Sequence, residues 1–272
     1  MRVAIRHVTR FHFGDRTSYS IHDVRLQPQP GTGQRMLSWN LRGPGRRHDW
    51  TDAYGNAVAT FTKASPHIGI EIIAEGVYES SGEASWIGFP DTDAFPAPFW
   101  LINRGLARHD APLDPLVDGL ADRVAQAQER IGALHDLAGR IEDRIAYRSG
   151  ASHVGTTALE ALAAGEGVCQ DHAHVFVACC RRLGVPARYV SGYLRTDAGY
   201  QHGSASFAWA EAWVAELGWV GFDPANRCSP TPDYIRLAVG PDYVGAAPIT
   251  GRRIGAAAEA EMEVEVSVHR VG

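Results

Sequence analysis

The stretch Gly165-Glu166-Gly167-Val168-Cys169-Gln170-Asp171-His172-Ala173-His174 decides the reading of this 272-residue chain. An apolar run, Val175 to Cys180, follows it and ends at Leu183-Gly184, so the pattern predicts a helix that opens at Cys169. A thiol in the first helical turn faces unpaired backbone N–H groups and the positive end of the helix dipole. That setting favours the reactive thiolate over the free thiol of pKa about 8.5. The same N–H groups can hold an oxyanion that develops on an acyl substrate. Cys179 and Cys180, inside the apolar run, read as inert packing. Cys169 reads differently, because glycines precede it and polar Gln170 and Asp171 follow directly.

Upstream, Ile131, Leu134, Leu137, Ala138, Ile141 and Ile145 recur at helical spacing with charged residues opposite, which predicts an amphipathic helix. Thr156 or Thr157 can cap a shorter helix through Leu159 and Leu162, stopped at Gly165. Downstream, Ala187 to Leu194, Ser206 to Val214 and Trp219 to Phe222 read as strands, with Leu217-Gly218 as a turn. Helices followed by antiparallel strands give an α+β core. The first 80 residues hold short alternating strands at Val3 and Ile5, Val24 and Leu26, Met36 to Leu41, Val58 to Phe61 and Ile68 to Val77, separated by turn residues such as Gln27 to Gly33. This spacing predicts a β-sandwich-like domain over residues 1–80. Residues 81–115 carry prolines among Trp86, Phe89, Phe95, Phe99 and Trp100, a linker whose rings pack between domains. The core is then expected over residues 116–272, with a last alternating strand from Met262 to Val268. The short Ala256 to Ala258 run is the one low-complexity segment.

A hydrophobic fraction of 45%, a charged fraction of 21%, a net charge of −5 and a pI near 6.2 describe a folding chain with no basic stripe. Nucleic acid and membrane are not expected as partners. Met1 to Phe13 alternates charged and apolar residues, and no apolar run approaches the ~20 residues that span a bilayer. A cytoplasmic location follows as an expectation. Cys169, Cys179, Cys180 and Cys228 form no CxxC pair, so neither disulfide nor zinc site is read. His7, His12, His22, His48 and His67 lack ligand spacing and read as surface or packing residues. No metal and no organic cofactor is expected, calcium included, since no acidic loop has ligand spacing.

Four blocks carry a resemblance: Gly167-Val168-Cys169-Gln170-Asp171, then Leu183-Gly184-Val185-Pro186-Ala187-Arg188-Tyr189-Val190-Ser191-Gly192-Tyr193, then Ala208-Trp209-Ala210-Glu211, then Gly218-Trp219-Val220-Gly221-Phe222-Asp223-Pro224. In this order they resemble the bacterial transglutaminase-like proteins, relatives of papain-type cysteine proteases. The resemblance implies a papain/transglutaminase-like core behind a β-rich N-terminal domain, acting on amide bonds of peptides or proteins. It implies a Cys-His-Asp triad in which Cys169 is the nucleophile and Asp223 orients the histidine. The histidine should stand directly before Ala208-Trp209, where this chain has Phe207, a ring that neither accepts nor donates a proton.

Three readings of Phe207 stand open. The chain is a pseudoenzyme that keeps the fold as a peptide- or protein-binding module, or a variant changed at 207, or an enzyme with a different base. His172, one turn after Cys169, is the leading substitute base, set against the plainer reading that His172 and His174 are solvated. His202, in the Gly199 to Ser206 loop, can swing toward the thiol, set against ordinary exposure of loop histidines. Asp171 is expected to cap the helix, and a buried Arg188–Glu211 pair fits the matching blocks. The sequence sets neither the acyl acceptor nor the oligomeric state.

Overall fold

The computed structural model describes all residues except 30–33, 81–86, 90–94, 196–198, 200, 203–205, 216, 256–259 and 272. Trp86, Pro90, the end of the Gln27 to Gly33 turn, most of the loop before Ser206 and the Ala256 to Ala258 run therefore lie outside the described residues.

The N-terminal half is a sandwich of two antiparallel four-stranded sheets. One has the order β15 (Ala260–Val271), β1 (Arg2–Thr17), β6 (His67–Ser80), β3 (Gln34–Arg42). The other has the order β14 (Ile249–Ile254), β2 (Tyr19–Val24), β5 (Ala57–Lys63), β4 (Arg46–Thr51). Alternation along the strands turns Val3, Ile5, Val24, Phe61, Ile70, Ile72 and Ala74 into a shared core. The expected strands of residues 1–80 are all present, and β4 joins them. Its six exposed residues, Arg46 to Thr51, carry no apolar alternation to announce it.

The C-terminal tail departs from expectation. β15, expected as the last strand of the core, pairs with β1 from Arg2↔Val271 to Phe13↔Ala260, and β14 pairs with β2. The tail therefore belongs to the sandwich rather than to the 116–272 unit. Alternating valines show that one face of a strand is buried, but not which sheet offers the edge. The 81–115 linker also contributes structure, since β7 (Ile87–Phe89) pairs with the edge of the core sheet.

The core sheet runs β13 (Tyr234–Gly240), β10 (Ala187–Leu194), β11 (Ser206–Val214), β12 (Gly218–Phe222), β7. Every residue of β10, β12 and β13 is buried, as expected of strands covered on both faces. Helices cover one face: α1 (Asp114–Val117), α2 (Ala121–Ala125), α3 (Ala127–Arg144), α4 (Ala158–Ala164) and α5 (Cys169–Arg182). α3 turns Leu134, Leu137, Ala138 and Ile141 inward. α4 opens with a capping box in which Thr157 Oγ1 accepts the Glu160 N–H and Glu160 accepts the Thr157 N–H at 2.9 Å. It stops at Gly165, whose φ of 68° suits glycine. The short helix α6 (Tyr243–Ala246) packs on β13. Among the described residues no helix is long and apolar enough to cross a membrane.

The two halves share one core. Tyr193, Ile235 and Leu237 of the core sheet pack among the sandwich residues, and Asn56 exchanges two 2.8 Å hydrogen bonds with the Val239 backbone. Inside the core sheet the expected pair is found: Arg188 Nε donates to Glu211 Oε2 at 2.6 Å, with both side chains 1% exposed. Arg236 of β13 adds a second cation at 3.0 Å. The Arg188 guanidinium also lies 3.9 Å above the Trp219 ring. Burial alone would raise the Glu211 carboxyl, but the two arginines together hold it below its ordinary value.

Two predictions follow from this packing. Glu211→Ala strands two buried guanidinium groups, and should lower the urea-unfolding free energy by about 3–5 kcal/mol. Burial pushes His7, His22 and His174 down from 6.5 to about 4. Between these values the unfolded chain binds protons that the folded chain refuses, so stability is complete above pH 6.5 and falls as pH drops toward 4. Up to about 3 kcal/mol is lost for a residue as buried as His7. The urea midpoint should therefore fall steeply between pH 7 and pH 4.5, and less steeply in the His7→Gln variant.

Candidate active site

The site is assembled at the N-terminus of α5. Val168, the residue before the helix, has an apolar side chain and cannot cap it. Asp171 folds back instead: its Oδ2 accepts the Val168 N–H at 2.7 Å and the Ser152 hydroxyl at 2.5 Å. A carboxylate here also complements the helix dipole, so the expected capping role of Asp171 is what its geometry provides. Gly167 permits this close return, because a Cβ there would lie 2.8 Å from the Asp171 Cβ. A short parallel pair, β8 (Ala146–Tyr147) with β9 (Glu166–Gly167), then brings Tyr147 beside the thiol.

Cys169 is buried, with 8% exposed. The backbone N–H groups of Ala208 and Gln170 lie near enough to favour its ionised form, and Tyr147 interacts with it electrostatically. Burial nonetheless pushes the thiol up to about 12, and the carboxylates of Asp223 and Asp171 act in the same direction. The helix N-terminus alone would lower it. Desolvation of the charged form outweighs that effect, so the expected thiolate is replaced by a neutral thiol in the ligand-free site.

Phe207 lies on β11, one residue before the Ala208 amide that lies near the sulfur. It is buried in the same apolar cluster as Cys169, Trp209 and Tyr234. Its ring meets Tyr234 edge-on with centroids 6.1 Å apart. Asp223 follows β12 and is fully buried. Its Oδ1 accepts the N–H groups of Ala225 at 2.9 Å and Asn226 at 3.2 Å, and its Oδ2 accepts Asn226 Nδ2 at 2.8 Å and the Tyr234 hydroxyl at 2.6 Å. Burial raises this carboxyl, and the donors from Asn226 and Tyr234 pull against it. The fold thus gathers Cys169, the 207 position and Asp223 at one site, with a phenol supplying a donor to the carboxylate.

His172 belongs to the frame rather than to the thiol. It is completely buried, and its two ring nitrogens lie 2.9 Å from the carbonyls of Val168 and Ile145. Both nitrogens are turned to backbone carbonyls rather than to Cys169, which sets the leading substitute base apart from the thiol. His174, also expected in solvent, is buried with it: its Nε2 accepts the Tyr243 N–H at 3.0 Å and its ring leans on Tyr189. Both lie on a helix buried on all sides, where an alternation of histidine and alanine mimics a polar face.

Three contributors escaped the sequence reading. Tyr147 stands 22 residues before Cys169 and arrives through the two-residue β8–β9 pair, too short to leave a pattern. Tyr234 comes from β13, beyond the four motif blocks. Asn226, three residues after Asp223, was readable as a turn residue but not as a carboxylate ligand.

A family model for the transglutaminase-like superfamily matches residues 118–224, and one for the bacterial transglutaminase-like N-terminal region matches residues 3–79. An uncharacterized protein of Mycobacterium leprae is 28% identical over 279 residues, covering 99% of each chain. A protein-glutamine gamma-glutamyltransferase of Pseudomonas aeruginosa is 34% identical over 70 residues, 24% of this chain and 10% of that protein. A Cytophaga hutchinsonii structure, provisionally designated a cysteine protease, superposes with a TM-score of 0.74 at 18% identity, covering 100% of this chain and 92% of that one. That likeness shows the shared fold across both halves. Residues 118–224 thus match a transglutaminase-like core, and residues 3–79 before them match the bacterial transglutaminase-like N-terminal region.

Proposed function

We propose that this protein acts on amide bonds of peptides or proteins through Cys169, with residue 207 taking no part in proton transfer. The observation that supports this reading is the position of Cys169 at the first turn of α5, in one buried cluster with Phe207 and Ala208, where the backbone N–H groups of Ala208 and Gln170 favour negative charge. Such donors suit the oxyanion of a tetrahedral acyl intermediate. Because the resting thiol is neutral, attack requires removal of its proton as the new bond forms, rather than a standing thiolate–imidazolium pair. The protease and glutamyltransferase designations among the similar proteins support acyl transfer from an amide to water or to an amine as the reaction class.

A second reading is favoured by the Tyr234 hydroxyl on Asp223. With that carboxylate bonded to a phenol and Phe207 beside it, the site has no imidazole for Asp223 to orient. It then holds a peptide without turning it over.

Hydrolysis of 4-nitrophenyl acetate and of a fluorogenic glutamine peptide by the unmodified protein and by Cys169→Ala separates the two. The enzyme reading expects a rate ~10³ to 10⁶ below that of an intact triad, abolished in Cys169→Ala. Equal rates in the two proteins, with peptide binding retained, establish the binding module. The position of Tyr234 also predicts how the triad is rebuilt. Phe207→His alone places an imidazole against a carboxylate already bonded to a phenol. The double variant Phe207→His/Tyr234→Phe removes one of the two donors on that oxygen, leaving Asn226, and should raise Cys169 alkylation by iodoacetamide at pH 7 by about a further tenfold.

A further inference from the structure

With residue 207 apolar and both nitrogens of His172 engaged, His202 remains among the described histidines at the thiol site. Its ring stacks on Tyr147, with centroids 4.4 Å apart and planes within 8°. Tyr147 in turn lies close enough to Cys169 for the two groups to interact electrostatically. Neither ring nitrogen of His202 has a hydrogen-bond partner among the described residues, in contrast to His172.

The backbone of His202 is held from both sides. Its N–H donates to Asn226 Oδ1 at 3.0 Å, and its carbonyl accepts from Asn226 Nδ2 at 2.9 Å. The other proton of that amide goes to Asp223 Oδ2 at 2.8 Å. The carboxylate that orients a triad histidine is therefore connected, through one asparagine, to a different histidine. Contacts run from Asp223 through Asn226, His202 and Tyr147 to Cys169 without passing through residue 207.

We propose that His202, tipped from its stack on Tyr147, accepts the Cys169 proton in place of residue 207. This inference rests on the acyl-transfer reading above for its chemical purpose. The S–H bond breaks as the sulfur electron pair forms the bond to the acyl carbon. The proton passes to the unprotonated imidazole nitrogen, and the carbonyl electrons move to an oxyanion held by the N–H groups at the sulfur. The imidazolium then returns its proton to the departing amine as the C–N bond breaks. Tipping involves the two side-chain bonds of a residue on the connection between β10 and β11, whose backbone stays fixed by Asn226. Other titratable groups that face the thiol or the stack are Tyr147 of β8, Asp171 and His172 of α5, Tyr189 of β10, Asp223 after β12, Cys228, and Tyr234 of β13.

The test is the pH dependence of iodoacetamide modification at Cys169, located by peptide mass mapping, in the unmodified protein, H202F and Y147F. H202F keeps a flat ring for the stack and removes only the proton acceptor, so a merely structural role leaves its profile unchanged. The proposal expects H202F to react about tenfold more slowly at pH 7, and to lack an acid-side inflection that the unmodified protein shows. Superimposable profiles in two folded proteins overturn it. Should H202F fail to fold, the NMR titration of the His202 ring in the unmodified protein and in C169S reads the same coupling. Different curves support the proposal and identical curves overturn it. A profile that depends on His202 without any Cys169-dependent hydrolysis defeats the acyl-transfer reading and leaves this one standing. Hydrolysis that H202F retains in full does the reverse.

Discussion

Glu211 sits at the centre of the core sheet with an arginine on each carboxylate oxygen, and much else depends on that placement. Through Arg188 and Arg236 it ties together β10, β11 and β13, adding ion pairs to their backbone ladders and ring contacts. An unpaired carboxylate in this position would carry a desolvation cost far above the net value of any one hydrogen bond, so the three strands accept one register. That register sets Phe207 and Ala208 against the start of α5, and it brings Tyr234 within reach of Asp223. The site is thus a product of the sheet, with α5 laid across it.

The thiol shows how opposing local terms resolve. Dipole and N–H donors favour its ionisation, while burial and two nearby carboxylates oppose it, and the second group wins. An imidazolium at position 207 would shift the balance by adding an opposite charge at contact distance. A phenyl ring adds only desolvation. The thiol is therefore held neutral, although helix terminus, cap and carboxylate are all present around it.

Legibility in the sequence followed the range of the interactions involved. α3, α4 and α5 were readable because their signals are local: a 3.6-residue period, Thr157 three residues ahead of Glu160, Gly165 at a left-handed stop. β10, β11 and β12 were readable as apolar runs between turns. The Cys169, Phe207 and Asp223 placements came through the resemblance, which preserves order and spacing along the chain. What stayed hidden was set by partners far away in sequence. The pairing of β15 with β1, the approach of Tyr147 and the bond from Tyr234 to Asp223 each depend on which edge or oxygen lies nearby in space. Burial of His172 and His174 was hidden for a related reason, since a polar residue that meets backbone groups looks the same in sequence as one that meets water.

The closing of both sandwich sheets by strands from the far end of the chain has a kinetic consequence. As the polypeptide leaves the ribosome, β1 and β2 appear first, yet the neighbours that complete their sheets, β15 and β14, are made last. Until residues 249–271 have emerged, β1 and β2 are themselves the sheet edges, exposing backbone groups that β15 and β14 later pair. The core, whose helices and strands 187–240 are nearer in sequence, can condense earlier and offer Ile235 and Leu237 as a surface on which the sandwich assembles. Folding of the first-synthesised half is in this way coupled to completion of the last, and a nascent chain halted inside that final segment is the species most exposed to edge-to-edge aggregation.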